Sequence, residues 1–368
     1  MRICFLMLNI FDNDSRARLI CHDIISAGYD LDIIATVGGN LEHFKGAKIH
    51  RLPQPVWPFR QRRFISYNLK AAKLAADLEA DIYHAVDLDT LWAASRAAGL
   101  SGGKVIYEAR ELYTELWALH NRALAKRFWR SLEKRLIRKA HSVVTINESI
   151  ADELRRRYDI GKPDVVMNVA SHVPIDKVVD LRADYDLSSR FVLIYQGVLR
   201  PGQGIIRALK AISQLPETSI VFVGDGPYMV EIESWTAKLK ITERVRFAGM
   251  IPPRELANFT AGADAGLLLM ESAAVNNYLA LPQKLFQYIA AGTPPIVSDN
   301  PELRRIVEND SLGLVLDRNS SSTDAEAIDI FLQKGLEQSV QNCHKVHDKY
   351  SWEIEGRKFQ DIYKDIDR

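Results

Sequence analysis

Short apolar runs alternate along the whole chain with stretches whose apolar positions recur every three or four residues. The first run, residues 3–8, is followed by a polar loop, a helical stretch reaching Ile25 and a second run at 31–35. Further runs lie at 80–91, 104–107, 142–146, 165–169, 191–195, 220–223, 245–251, 263–269 and 296–297. Continuous apolar runs separated by helical periods read as strands of parallel sheets covered on both faces. The expected class is α/β with doubly wound sheets. A chain of 368 residues exceeds one typical core, so two domains are expected. Residues 174–190 scatter Asp and Arg without a period and read as a linker. That places one domain at 1–180 and a second at 190–345. A terminal helix follows at 351–368, carrying Phe359, Ile362 and Tyr363.

Composition narrows the setting. With 47% hydrophobic and 26% charged residues the chain is neither disordered nor membrane-embedded. Cys4, Cys21 and Cys343 lack metal-ligand spacing, which argues against zinc or disulfides and fits a reducing compartment. The opening apolar run is too short for a signal peptide, and no stretch is long enough to span a membrane. The expected location is the cytoplasm, with peripheral attachment at the inner face of the cell membrane as an option. Residues 1–185 hold 28 Lys and Arg against 23 Asp and Glu, whereas the remainder holds 20 against 24. The first half is therefore the better candidate for an anionic surface. Nothing points to nucleic acid.

One stretch concentrates the chemistry, 279–298. Pro282 suits a first helical position, Gly292 a left-handed helix end, and Leu285, Tyr288 and Ile289 an apolar face between them. A helix N-terminus presents unpaired N–H groups to an anion, so Leu281 and Pro282 mark a natural phosphate seat. An ordinary helix–strand unit has the same shape.

The run Leu281-Pro282-x-Lys284-Leu285-Phe286-Gln287-Tyr288-x-Ala290-Ala291-Gly292-x-Pro294 resembles the donor-site helix of retaining glycosyltransferases with the GT-B fold, family 4 in particular. Other stretches are similar in order. Gln196-Gly197 through Arg200, Gln203 and Gly204 resembles the loop that grips a donor diphosphate. Gly224-Asp225-Gly226-Pro227 resembles the strand end that approaches the nucleotide. Met250 and Ile251 lie in the segment that borders the base. In the first half, Asp81-x-x-His84-x-x-Asp87 and Glu108-Ala109-Arg110-Glu111-Leu112 resemble the family's strand ends beside the donor sugar and acceptor. Asp14-Ser15-Arg16 looks like the first-loop variant of some members. The resemblance implies two Rossmann-like domains facing a cleft, with the C-terminal helix crossing back to the first. It also implies transfer of a sugar from a nucleotide-sugar to a glycan or glycolipid acceptor, with retention of configuration and neither metal nor cofactor.

The chain departs from the pattern in its charges. Arg110 stands where the family has histidine; it can donate to sugar or phosphate oxygens but cannot accept a proton. It either serves the site with Arg200 as a catalytic cation or forms a surface pair with Glu108 or Glu111. The loop cations of the family fall on Val198 and Gln203, leaving Arg200 alone. Two family glutamates fall on Leu279 and Gln287. A non-catalytic partner of an active transferase is the alternative that such losses suit. Asp14 and Arg16 either belong to the acceptor side or pair with each other as a cap. Two segments of the first half are candidates for an anionic membrane or glycolipid. The loop at 53–64 mixes aromatics with arginines, and 119–141 is a basic helix with Leu124, Phe128, Leu132 and Leu136 in a stripe. Each has a plain reading as well, a self-packed loop and a core-facing stripe.

Overall fold

The structure, a computed structural model, describes residues 1–53, 60–116, 119, 121–169, 173–271, 274–317 and 323–367, with only the backbone of 60–63. The chain divides into two compact units, residues 1–168 with 352–368, and residues 169–351.

In the first unit the chain runs β1 (Arg2–Leu6), α1 (Ser15–Ser26), β2 (Asp30–Thr36), β3 (His43–Phe44), β4 (Ala47–Leu52), α2 (Arg60–Asp77), β5 (Ile82–Val86), α3 (Leu88–Ser101), β6 (Lys104–Ala109), α4 (Ala123–Leu136), β7 (Ser142–Thr145), α5 (Glu148–Tyr158) and β8 (Asp164–Val165). Its sheet has the order β3-β4-β2-β1-β5-β6-β7-β8, antiparallel only at β3–β4. The apolar runs explain the strands: all five residues of β5 are buried, as a strand covered on both faces requires. The order reverses between β1 and β5, and open α/β sheets bind ligands outside the carboxyl ends of the strands flanking such a reversal.

The second unit continues with α6 (Leu181–Asp184), β9 (Phe191–Gln196), α7 (Ile205–Ser213), β10 (Thr218–Val223), α8 (Met229–Lys238), β11 (Val245–Gly249), α9 (Pro253–Thr260), β12 (Ala265–Leu268), α10 (Val275–Leu279), α11 (Gln283–Ala290), β13 (Pro295–Ser298), α12 (Pro301–Asn309), β14 (Leu314–Leu316), α13 (Asp324–Ile330) and α14 (Leu336–Val346). Its parallel sheet has the order β11-β10-β9-β12-β13-β14, with the reversal between β9 and β12. The stretch 174–190 is built into this unit and is no free linker. Val179 N–H donates to Asn258 O at 3.1 Å, Asp180 caps α6, and Leu181 is fully buried.

Helix α15 (Trp352–Asp367) belongs to the first unit, where Trp352 Nε1 donates to Asp23 Oδ2 at 2.8 Å. Arg16 stacks its guanidinium 5.6 Å from the ring centroids of both Trp352 and Phe359.

Two local expectations are corrected. Pro282 is the cap of α11 in extended conformation, and the first helical residue is Gln283. Gly292 does end the helix, at φ +69°, and Leu285, Tyr288 and Ile289 are buried. The stripe of α4 is the larger correction. Leu124 is 86% exposed and Phe128 46%, so the Leu124–Phe128 row does not face the core. The inward row is Trp129, Glu133 and Leu136. Trp129 meets Phe64 edge-on at 4.7 Å, and Glu133 accepts from the hydroxyls of Tyr107 (2.7 Å) and Tyr158 (2.6 Å). A carboxylate supplied with two buried donors is tolerated in a core. Of the other expected surface segment, 53–64, residues 54–59 lie outside the described residues.

Candidate functional site

At the reversal of the first sheet, the loop after β1 and the ends of β5 and β6 bring five of the expected residues together around Glu108, which the sequence offered only as a surface partner of Arg110. Glu108 is fully buried in β6. Its Oε1 accepts from Arg16 Nε at 2.6 Å, and its Oε2 from Arg110 Nε at 3.1 Å and His84 Nε2 at 3.3 Å. Burial alone would push this carboxyl up, but Arg110 and Arg16 overcome it and hold Glu108 well below the usual carboxylate range. Because the ionised carboxylate can only accept, His84 Nε2 carries the hydrogen. Its Nδ1 then accepts from Tyr363 OH on α15 at 2.5 Å. Burial depresses the His84 imidazole, consistent with that neutral tautomer.

Asp14 and Arg16 therefore do not pair with each other as a surface cap. Arg16 is buried, and it also donates to the carbonyls of Met167 (2.8 Å) and Val166 (2.9 Å). Asp14 caps α1 through Ala17 N–H at 2.8 Å and accepts from Arg110 Nη1 at 2.7 Å. Arg110 pairs with Glu108, as one reading of the sequence had it, but in a mostly buried network instead of on the surface. Its Nη2 is buried without a partner among the described residues. A buried guanidinium nitrogen left open is costly, and such exceptions mark either strain or a place for a ligand.

Asp87 closes the ring by accepting from Arg110 N–H at 3.0 Å. Its backbone sits at φ +58°, ψ 171°, a region that residues other than glycine avoid. Burial, with the charge of Asp89, pushes its carboxyl well above the usual range. Glu111 is exposed just beyond the strand end, close enough to add to that upward push.

In the second unit the expected donor residues gather at the other reversal, between β9 and β12. The loop after β9 carries exposed Gly197 and Arg200 and buried Gln203 and Gly204. Two glycines here are demanded by the protein's own backbone. A Cβ on Gly204, at φ +66°, would lie 1.8 Å from Leu269 O, and one on Gly224, at φ +126°, would lie 2.1 Å from Gly197 O. Gly226 presses on Leu199 O in the same way. Asp225 is exposed and accepts from Gly226 N–H at 2.6 Å, shaping the turn. Gly197 is different. Its nearest neighbour is the Lys284 ammonium, 3.5 Å from where a Cβ would stand.

Helix α11 supplies that lysine. Its buried Tyr288 fills the space above Gly266, where a Cβ would meet the ring at 2.6 Å. With the helix held so, Lys284 Nζ lies 3.1 Å from Gln203 Oε1 and 4.5 Å from the Tyr195 ring centroid. Gln287 is bound through its Oε1 by Gln196 Nε2 at 2.7 Å, and Gln196 in turn accepts from Thr260 Oγ1 at 2.8 Å. Leu281 is buried beneath the helix start, Met250 is 77% exposed, and Ile251 is partly covered at the end of β11. The arrangement presents two basic side chains, a glycine edge and a helix N-terminus together, which suits a diphosphate.

Comparison with known proteins agrees with the geometry. The model "Glycosyltransferase Family 4" matches residues 16–168, and "Glycosyl transferases group 1" matches residues 180–346. An alpha-monoglucosyldiacylglycerol synthase of Streptococcus pneumoniae is 30% identical over 162 residues, 40% of this chain and 35% of that protein. The chain aligns with 35% to 63% of the length of its curated relatives. Sucrose-phosphate synthase of Thermosynechococcus elongatus superposes with TM-score 0.83 at 16% identity, covering 100% of this chain and 99% of that one. Anabaena HepE, solved in complex with UDP-glucose, gives 0.77 at 16% identity over 99% of this chain and 100% of that one. With one model covering each half and GT-B folds matching the whole, the chain belongs to the glycosyltransferases of the GT-B type, resembling family 4.

Proposed function

We infer that the protein transfers a glycosyl group from a nucleotide-sugar to the hydroxyl of a lipid-linked or glycan acceptor, with retention and without a metal. The observation that carries this reading is the pairing of Arg200 and Lys284 beside Gly197 at the start of α11. As the bond from sugar to phosphate breaks, negative charge grows on the leaving diphosphate. The Arg200 guanidinium, the Lys284 amine and the open N–H groups of a helix stabilise that charge where it develops. The acceptor hydroxyl attacks the anomeric carbon from the same face and passes its proton to the departing phosphate oxygen. Positive side chains take the part a divalent ion plays elsewhere. A relative named for a glucosyldiacylglycerol product and a fold neighbour crystallised with UDP-glucose support the donor and acceptor classes.

A lipid acceptor favours attachment to an anionic membrane through α4. Its outward Leu124 and Phe128 lie beside exposed Arg127 and Arg135, which make no ion pair among the described residues. Basic helices with outward apolar side chains bind anionic interfaces. Among the described residues no helix is long and apolar enough to cross a membrane.

Thermal melting with UDP, GDP, ADP, TDP and CMP, for wild type and Arg200→Ala, tests the donor half. A ligand that binds only the folded state raises the melting temperature. One nucleotide is expected to stabilise wild type, and the variant much less. No shift with any of them at millimolar concentration rejects the reading.

A further inference from the structure

The glycine loop carries one cation, Arg200, and the second positive group of the donor seat comes from α11. Lys284 Nζ is mostly buried, with one good hydrogen bond, to Gln203 Oε1 at 3.1 Å; Tyr195 OH is 3.5 Å away. Among the described residues no carboxylate pairs with it. The groups that face it are Tyr195 from β9, whose phenol burial keeps neutral, Arg200 and Gln203 from the loop, and Gln287 one turn along its own helix. None is an anion. A buried ammonium without a counter-charge is disfavoured. Burial, and secondarily the charge of Arg200, pull the Lys284 amine down to about 7.

We propose that Lys284 is the missing second cation of the diphosphate seat and is charged by its ligand, so that nucleotide-sugar binding takes up one proton from solution onto Nζ. This rests on the transferase reading above. The diphosphate of a nucleotide-sugar is esterified at both ends, so it has no ionisation of its own near neutrality. Its two fixed negative charges beside Nζ raise the affinity of the amine for a proton. In the free protein the site waits with one permanent charge, on Arg200; in the complex it holds two. Above neutrality the binding constant therefore falls with pH, by up to about tenfold per unit. The Nζ hydrogen that Gln203 Oε1 accepts in the free state turns to a phosphate oxygen.

Titration calorimetry tests this with UDP-glucose, GDP-mannose, ADP-glucose and dTDP-glucose at pH 6, 7.5 and 8.5. Each is measured in two phosphate-free buffers of different ionisation heat, MES and bis-Tris at pH 6, HEPES and Tris at pH 7.5, and bicine and Tris at pH 8.5. For the donor that binds, the buffer dependence of the heat is expected to show little proton uptake at pH 6 and nearly one proton at pH 8.5, with affinity falling between 7.5 and 8.5. Lys284→Arg, permanently charged, is expected to bind with no uptake, and Lys284→Met to bind weakly with no uptake. Tight wild-type binding without buffer dependence at pH 8.5 overturns the proposal alone, as does uptake that persists in Lys284→Met. Failure of every donor to bind at every pH overturns the transferase reading, and this inference with it.

Discussion

Asp14 holds Arg110 from ninety-six residues away: Oδ2 accepts from Nη1 at 2.7 Å, while Oδ1 caps the first turn of α1. One carboxylate thus ties the helix after β1 to the end of β6. The two jobs are separable, because a cap needs only an acceptor whereas the pair needs charge.

Asp14→Asn should keep the cap and weaken the pair, whereas Asp14→Ala should lose both. A lost cap costs about 0.5–2 kcal/mol, or a few degrees of melting temperature. The alanine variant is expected to melt lower than the asparagine variant, and both to transfer sugar more slowly than wild type. Equal melting of the two variants would remove the capping role.

Glu108→Gln leaves Arg16 and Arg110 facing a neutral amide in a buried site. Breaking such a pair costs about 3–5 kcal/mol. The pH dependence has a definite sign. The native carboxyl titrates well below its unfolded value, so its contribution to stability is complete above the unfolded value and is lost as pH falls through the native one. Urea unfolding from pH 7 down to pH 3 should therefore show the gap between wild type and Glu108→Gln shrinking with acid.

Asp87 has the opposite sign. Its carboxyl is raised in the folded state, so ionisation above the unfolded value works against folding. Asn removes the charge and keeps the oxygen that Arg110 N–H donates to, at the same backbone cost as Asp. Asp87→Asn is expected to stabilise at pH 7–8 by on the order of 1 kcal/mol, with the gain vanishing near pH 3. A lower melting temperature at pH 8 would contradict this account of its raised carboxyl.

Gly204→Ala drives a Cβ into the Leu269 carbonyl at 1.8 Å in a backbone region that alanine avoids. The second unit should unfold at markedly lower urea, and donor binding should be lost with it. Circular dichroism and calorimetry on the same sample check both.

Leu124→Glu with Phe128→Glu should leave melting unchanged, since both side chains are outward, and should abolish co-sedimentation with vesicles containing anionic lipid. Salt is expected to weaken wild-type binding to the same vesicles.

Much of the fold is legible in the sequence because parallel strands are continuous apolar runs, and β1, β5, β6, β9 and β10 all fall on runs of that kind. The helix at 283–290 is legible from its apolar spacing and its bounding proline and glycine. Strands β3 and β4 are not, because His43, Lys48 and Arg51 interrupt any run. The face of α4 misleads for a physical reason. Leu124, Phe128 and Leu132 form as regular a row as Trp129 and Leu136, and a glutamate in the latter looks like solvent. Only the two tyrosine hydroxyls, 25 and 26 residues from Glu133 in sequence, make that position a core one. Glu108 is hidden likewise, since Arg16 lies 92 residues before it and Tyr363 reaches the cluster only through His84. The glycine pattern near 197–226 is visible in the sequence, but the contacts behind it are not. Gly204, Gly224 and Gly226 make room for neighbouring carbonyls, and only Gly197 opens toward the cation.

Helix α15 has a consequence for how the chain is made. Residues 2–168 emerge from the ribosome first, yet Arg16 lacks its aromatic cover and His84 its phenol until 352–363 follow. Met167 N–H, too, waits for Glu355, which accepts from it at 2.7 Å. All strands of both sheets lie before residue 317, so α15 adds no strand and serves to seal the first unit. The first unit therefore completes its packing only after residues 169–351 have been made. A chain cut before residue 352 holds every residue of the second unit and leaves the first without the rings that cover Arg16 and the phenol that reaches His84.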